Sequence, residues 1–319
     1  FSMKALITGN LGFIGSHLTE VLLAHDYHVI GIDNFETGRH DNIAHLLENK
    51  NFEFNSVDIS NDEHINHFRN THYKCDIDVI FHVGAKARIQ PSIDDPRRTI
   101  TCNVNGTFNM LELARDLHVE RFIYSASSSA YGLTSKLPNT VGDTENCLNP
   151  YSVTKLMGEK LCRAWSICYG LNTISLRYFN VYGERSPLIG NYAPVVGIFY
   201  RQLLKDKTPM TIVGDGKKRR DFTHVNDVVT ANIHAYKSCK VYPGRTFNVG
   251  CGVNYSIKEI AQMVGGDNYI HIPDRPAEAQ ETLAYIEDTT ACLDYWRPTI
   301  QLPEGIEMMR EHYNTLFNQ

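Results

Sequence analysis

The chain contains no Cys-x-x-Cys pair. Its eight cysteines, at 75, 102, 147, 162, 168, 239, 251 and 292, are scattered along the sequence. That scatter argues against both a zinc module and a disulfide framework, so reduced, mostly buried thiols and no metal are expected. No apolar run approaches the roughly 20 residues of a membrane span, and no basic stretch followed by an apolar one stands at the start. A cytoplasmic protein with no membrane partner is the expectation, and Phe1 and Ser2 ahead of Met3 read as residues left over from cloning. An excess of positive charge is missing too. With 31 Lys and Arg against 36 Asp and Glu, the formal net charge of -5 offers nucleic acid no electrostatic hold, and an anionic ligand must be met by a local cluster. Internal repeats and low-complexity segments are absent, so neither an array nor a disordered chain is expected.

What is present is an ordinary globular composition, 319 residues with 42% hydrophobic, long enough for a large core and for two domains. A short apolar run from Lys4 to Thr8 leads into Gly9-Asn10-Leu11-Gly12-Phe13-Ile14-Gly15, after which Ile14, Leu18, Val21 and Leu22 recur at helical spacing. Strand, glycine turn and helix are predicted. A second apolar run, His28 to Ile32, ends in Asp33, about twenty residues beyond the glycines. In a dinucleotide-binding unit such glycines let the backbone approach a pyrophosphate at the helix N-terminus, while the acid accepts hydrogen bonds from the adenosine ribose. Asp33 favours NAD over NADP, because its charge would repel a 2′-phosphate.

Further strands are predicted at Phe52 to Val57, ending in Asp58-Ile59, then at Ile77 to Val83, Arg121 to Ala126 and Asn172 to Tyr178, with helical segments between. Strands alternating with helices specify an α/β fold of Rossmann type, a doubly wound parallel sheet with ligands at the C-terminal strand ends. Residues 3–178 are read as this NAD-binding domain. After Tyr178 the pattern becomes irregular and rich in Pro and Gly, so 179–319 is read mainly as a smaller α/β substrate domain, with elements near 225–249 crossing back to the first. Ser256-Ile257-Lys258-Glu259 has the form of a capping box opening a helix with Ile257, Ile260, Ala261 and Val264 on one face.

Two stretches suggest acid-base chemistry. Tyr151 and Lys155 stand four residues apart in Asn149-Pro150-Tyr151-Ser152-Val153-Thr154-Lys155, a spacing that puts both on one helix face. A phenol with an ordinary pKa of about 10 needs a nearby cation to act as a base near neutrality, and Lys155 is placed to supply it. The strand from Arg121 runs into Ser127-Ser128-Ser129-Ala130-Tyr131-Gly132, whose hydroxyls are suited to relaying a proton to that base.

These segments, with His82-x-x-Ala85, Asn103-Val104-Asn105-Gly106-Thr107, Arg177-Tyr178-Phe179-Asn180-Val181-Tyr182-Gly183 and Arg220-Asp221-Phe222, make nearly the whole chain resemble an extended short-chain dehydrogenase/reductase of the nucleotide-sugar 4-epimerase group. The resemblance implies that Tyr151 takes the proton of a sugar 4-hydroxyl while hydride passes to NAD. Lys155 would hold the nicotinamide ribose and keep Tyr151 acidic, with Ser127 or Ser129 bridging to the 4-oxygen. The keto sugar then turns over and is reduced on its other face. Gly9, Gly12, Phe13, Ile14, Gly15, Asp33, Asn34, Asp58, Ile59, Ala85, Lys86, Tyr151, Lys155 and Tyr178 are implied to contact the cofactor. Arg88, Ser127, Tyr151, Asn180, Arg220, Arg275 and Thr282 are implied to contact a UDP-sugar.

Relatives that remove water across C5 and C6, or that decarboxylate, carry carboxylates in the serine segment, and here those positions are Ser and Ala. A dehydratase and a decarboxylase therefore rank below an epimerase; a 4-keto-sugar reductase stays as a runner-up, and the intact Ser127, Tyr151 and Lys155 set argues against a non-catalytic NAD sensor. Arg88 stands where relatives commonly have a small residue, and either meets an anionic substituent or turns outward. Thr282, seven residues past Arg275, aligns with the position whose bulk governs entry of an N-acetyl group, so N-acetylhexosamines are permitted. Helices near Val104 to Leu117 and Tyr151 to Tyr169 carry apolar residues on more than one face, among them Phe108, Leu111, Leu156, Leu161 and Trp165. The resemblance implies a homodimer through a four-helix bundle.

Overall fold

The structure is a computed structural model that describes residues 3–134, 136–190, 193–238 and 242–318; Phe1, Ser2 and Cys239 lie outside the described residues. The first half of the chain alternates strand and helix: β1 (Lys4–Thr8), α1 (Phe13–Ala24), β2 (His28–Asp33), β3 (Phe52–Ser56), α2 (Asp62–His72), β4 (Val79–His82), α3 (Ile89–Asp94), α4 (Pro96–Ile100), α5 (Gly106–Asp116), β5 (Arg121–Ser127), α6 (Pro150–Tyr169) and β6 (Thr173–Tyr178). The second half is less regular: β7 (Val181–Tyr182), α7 (Val195–Tyr200), β8 (Met210–Val213), β9 (Arg219–Asp221), β10 (Thr223–His224), α8 (Val225–Lys237), β11 (Arg245–Val249), β12 (Asn254–Ser256), α9 (Ile257–Gly265), β13 (Tyr269–Ile272), α10 (Glu287–Cys292) and α11 (Leu302–Phe317).

Seven strands pair in parallel in the order β11-β6-β5-β4-β1-β2-β3. All residues of β4 and β5 are buried, as strands covered by helices on both faces must be. Strand order reverses between β1 and β4, and the crevice beyond the strand ends at that point is where such sheets bind ligands. The seventh strand enters from late in the chain, β11 pairing with β6 from Arg245 opposite Ile174 to Val249 opposite Tyr178. The predicted strand limits differ from those observed by two residues or fewer at either end, the ordinary fraying of element boundaries.

The long helix α6 is fixed locally. Asn149 accepts from the Ser152 amide at 2.9 Å while Ser152 Oγ accepts from the Asn149 amide at 3.3 Å, Pro150 occupies the first turn, and Gly170 ends the helix at φ 71°. Inside the fold Arg177 of β6 grips Glu159 of α6 with two bonds of 2.7 Å, the two side chains being 1% and 4% exposed. Removing one partner of such a pair leaves a buried charge uncompensated.

Beyond β6 the chain forms three two-stranded sheets, β7 with β10, β9 with β12 and β8 with β13, around a separate core that includes Phe199, Met210, Phe222, Ile260, Ile306 and Tyr313. The capping box at Ser256 and Glu259 forms, and Ile260, Ala261 and Val264 are buried, as the sequence pattern requires. Asp221, fully buried, accepts from the amides of Cys251, Gly252 and Ala284 at 2.7–3.0 Å and so ties two loops to β9. Among the described residues no helix is long and apolar enough to cross a membrane.

Candidate active site

The turn after β1 is a cradle that closes only without side chains. Gly9 has φ 68°, a Cβ there would lie 2.7 Å from Gly84 Cα, and one on Gly15 would lie 2.2 Å from the Gly9 carbonyl oxygen. Gly12 caps α1 without a side-chain bond, so the helix start presents bare backbone. Asp33, at the tip of β2, accepts from the amides of Leu11 at 3.2 Å and Phe35 at 2.9 Å, and burial pushes its carboxyl above the ordinary value. Behind the neighbouring strand end, His82 bridges the hydroxyls of Thr8 at 2.8 Å and Thr107 at 3.0 Å, and burial lowers its pKa to about 3. A glycine cradle, an uncapped helix start and an acid beside them fit a dinucleotide.

Tyr151 opens α6 facing the end of β5. Ser127 Oγ and Ser129 Oγ are 2.8 Å apart and line one cavity with the Tyr151 phenol. Burial raises that phenol above its ordinary value, while Ser127 and the charge of Arg88 act in the opposite direction. Lys155 stands one turn further along α6. Its ammonium donates to the Ser125 carbonyl at 2.8 Å and lies 5.2 Å from the centre of the Tyr124 ring, and burial lowers its pKa to about 8. Arg88, at the start of α3, lines the same cavity as Tyr151.

The opposite wall comes from the second half of the chain. Arg220 donates to the carbonyls of Arg219 at 2.9 Å, Ala279 at 2.6 Å and Gln280 at 3.1 Å, so it fastens the 279–280 loop as well as facing the cavity. Thr282 is buried at 7% exposure and accepts from the Asp221 amide at 3.4 Å. Arg275 is exposed, next to Ala277 with its left-handed φ of 62°. Tyr178 presents its ring, its hydroxyl being held by Ser125 at 3.0 Å and the Asn232 amide at 2.8 Å.

All of these walls enclose one cavity of about 750 Å³, lined by every candidate named from the sequence except Asp58 and Lys155. That volume suits a cofactor and substrate together more than a lone fragment. Asp58 sits behind it, bonded by Ser60 at 2.6 Å, Arg98 at 3.0 Å and Asn34 at 3.2 Å; these partners overcome burial and hold its pKa at about 2. Sequence reasoning missed Glu36 and Arg98. Glu36 pairs with Arg98 at 2.6 Å and Lys86 at 2.8 Å, and chiefly through Arg98 its pKa falls to about 2. No motif announces that network, which joins residues 36, 58, 86 and 98 only after the strands have paired. Among the described residues no group of three or more His, Cys, Asp or Glu is placed to hold a metal ion.

Comparison with known proteins agrees with this arrangement. Residues 5–250 match the model of the NAD dependent epimerase/dehydratase family. A UDP-glucose 4-epimerase of Mycolicibacterium smegmatis is 34% identical over 318 residues, 98% of each chain. The structure of a UDP-glucose 4-epimerase from Thermotoga maritima with UDP-glucose matches with a TM-score of 0.89 and 30% identity, covering 98% of this chain and 99% of that one. A UDP-glucuronic acid 4-epimerase from Bacillus cereus, solved with UDP-glucuronic acid and NAD, matches with a TM-score of 0.87 and 32% identity over 98% of this chain and all of that one.

Proposed function

Because the chain belongs to the NAD-dependent epimerase/dehydratase family and its cofactor is NAD, we propose that it inverts C4 of a UDP-hexose or UDP-N-acetylhexosamine through a transient 4-keto sugar. The observation that carries this reading is the meeting, in one cavity, of the glycine cradle after β1 with Tyr151 and the Ser127–Ser129 pair at the end of β5. NAD, when bound, supplies the oxidant that takes hydrogen from C4 and gives it back. The chain's own residues handle the proton and the geometry. Tyr151 removes the 4-hydroxyl proton, Ser127 hydrogen-bonds the same oxygen, and Ser129 supports Ser127 in the relay. When the sugar presents its other face, Tyr151 returns the proton to the same oxygen.

Gly9, Gly12, Phe13, Ile14, Gly15, Asp33, Asn34, Ile59, Ala85, Lys86 and Tyr178 form the cofactor side. Lys155 and Asp58 would act from behind the wall by fixing β5 and the loops beyond β2 and β3. Asn180, Arg220 and Arg275 take the nucleotide diphosphate on the side built mainly by 179–319, and Thr282 leaves space at C2 for an N-acetyl group. The absence of carboxylates from Ser127 through Ala130 supports epimerisation over elimination or decarboxylation.

A homodimer is proposed as well, resting on the apolar face that α4, α5 and α6 leave outward: Ile100, Phe108, Val153 and Met157 are 48%, 43%, 44% and 43% exposed. Leu111 and Trp165, grouped with Phe108 by the sequence, belong instead to the core. The test of function is proton NMR of products from UDP-glucose, UDP-N-acetylglucosamine and UDP-glucuronic acid, with Tyr151→Phe as control. Inversion at C4 without net NADH is expected; a deoxy-keto sugar, a pentose or no product from any of them sinks the reading.

A further inference from the structure

The parallel order β4-β1-β2 places β1 between the two strands whose following loops carry Lys86 and Glu36. Two strand spacings, about 10 Å, separate β2 from β4, and the glycine turn opens from the end of β1 between them. Glu36 nevertheless pairs with Lys86 at 2.8 Å, and both line the cavity with Gly9, Gly12 and Gly15. Because both loops leave the C-terminal edge of the sheet, this pair crosses the space beyond the end of β1. Arg98 of α4 holds the same carboxylate at 2.6 Å and reaches Asp58 at 3.0 Å and Ser60 Oγ at 2.9 Å, beyond β3. A row of charges therefore runs along that edge from β3 over β2 to β4. Both of its ends rest on fixed backbone. The Lys86 amide donates to Asn103 Oδ1 at 2.7 Å and its carbonyl accepts from Asn103 Nδ2 at 3.0 Å, the asparagine being buried. On the other side, Asp33 accepts from the Phe35 amide at 2.9 Å, Asn34 accepts from the Glu36 amide at 3.1 Å, and the Phe35 ring meets Phe54 edge-on. Opening this row takes movement of side chains alone.

We propose that Glu36 is the pin of a strap across the dinucleotide crevice, and that NAD enters and leaves when this carboxylate releases Lys86 and Arg98. The strap concerns NAD alone and holds whichever sugar the enzyme turns over. A single exposed ion pair contributes little, but here one carboxylate joins two cations, and a network of this kind is worth more than its isolated members. The side chains of Lys86, Glu36 and Arg98 are 15%, 33% and 26% exposed, so the strap is shielded enough to persist and open enough for salt to weaken it. Asp33, the nearest acid in sequence, is engaged by the Leu11 and Phe35 amides and does not replace Glu36. The role is kinetic. A bridge across the way slows entry and release alike, whereas a group that only touches bound NAD slows release alone.

The experiment chases radiolabelled NAD from the loaded enzyme with unlabelled NAD, counting what stays bound by rapid filtration. The same assay times uptake of labelled NAD by the full chain after dialysis. Glu36→Gln keeps the size of the side chain and removes its charge. It should speed release and uptake together by about tenfold and leave the dissociation constant within about threefold of the parent's. Potassium chloride at about 0.5 M should accelerate release from the parent and have little effect on the variant. Arg98→Gln, at a position that does not line the cavity, should give a smaller rise of the same kind, and it carries the test should Glu36→Gln fold poorly. An unchanged release rate in folded Glu36→Gln, or in Arg98→Gln where the first variant does not fold, overturns the proposal. Faster release with unchanged uptake overturns it too and makes Glu36 an ordinary contact to bound NAD, as does equal acceleration of parent and variant by salt. Since no sugar is present in any arm, inactivity toward every UDP-sugar would defeat the functional reading without deciding this one.

Discussion

The two walls of the cavity are held in place by different means. On the cofactor side, position is set by backbone: Gly9, Gly12 and Gly15 lie within one turn, and a single added carbon would strike the neighbouring main chain. On the side proposed for the sugar, position is set by side chains that bind loops distant in sequence. Arg220 reaches the carbonyls of residues 279 and 280, and Asp221 gathers amides from residues 251, 252 and 284. The contrast extends to strained conformations. The turn after β1 uses glycine at its left-handed position, whereas the wall from the second half of the chain carries Ala277 at φ 62°. A wall made of backbone tolerates little change in sequence, and a wall made of side chains can be retuned without rebuilding the fold.

This contrast can be broken experimentally. The largest effect should come from the seam between the walls: Tyr151→Phe is expected to lower turnover by about 10²–10⁴-fold, as loss of a general acid-base does, with NAD affinity and melting temperature unchanged. A parallel fall in NAD affinity would mean that Tyr151 belongs to the cofactor wall. Next comes Gly15→Ala, whose methyl would meet the Gly9 carbonyl at 2.2 Å. Overpacking of this kind costs about 1–3 kcal/mol, or roughly 10–100-fold in NAD affinity by calorimetry; undiminished affinity would show that the cradle yields. On the sugar wall, Thr282→Tyr should reduce turnover of UDP-N-acetylglucosamine relative to UDP-glucose by about 10–100-fold, the range a pocket achieves by size alone, while NAD binding stays constant. Equal losses on both sugars would count against Thr282 as the gate.

The smallest effect concerns what lies beneath the cofactor wall. His82 is neutral in the fold, with a pKa of about 3 against 6.5 when exposed. Above about pH 6.5 neither state binds the proton and the full stability is present. As pH falls from there toward 3 the unfolded chain takes it up and the native chain does not, so stability drops by up to about 1.4 kcal/mol per pH unit. Urea unfolding at pH 7.5, 6.0 and 5.0 should show a steeper acid loss for the parent than for His82→Asn. Identical slopes would place the acid sensitivity elsewhere.

Much of the cofactor wall was legible because its causes are local. The run Lys4 to Thr8, the glycine turn, the acid at residue 33 and the caps at Asn149 and Ser256 each act within a few residues, the range over which sequence pattern speaks. Arg88 and Thr282 could be singled out as departures, but their surroundings could not be read. Glu36 and Arg98 carried no signal, since a charged residue in a loop is ordinarily just solvated and these two meet across 62 residues.

The sequence by itself determined the doubly wound order, the dinucleotide turn and the pairing of a phenol with serines at a strand end, because these follow from periodicity, turn stereochemistry and capping. Only the tertiary structure decided that β11 would extend the sheet beside β6, that the Lys155 ammonium would donate to the Ser125 carbonyl, and that Arg88 would line one cavity with Tyr151. Those outcomes depend on which distant groups desolvate one another when the layers close. Coulomb attraction and burial act through space, and distance along the chain does not report them.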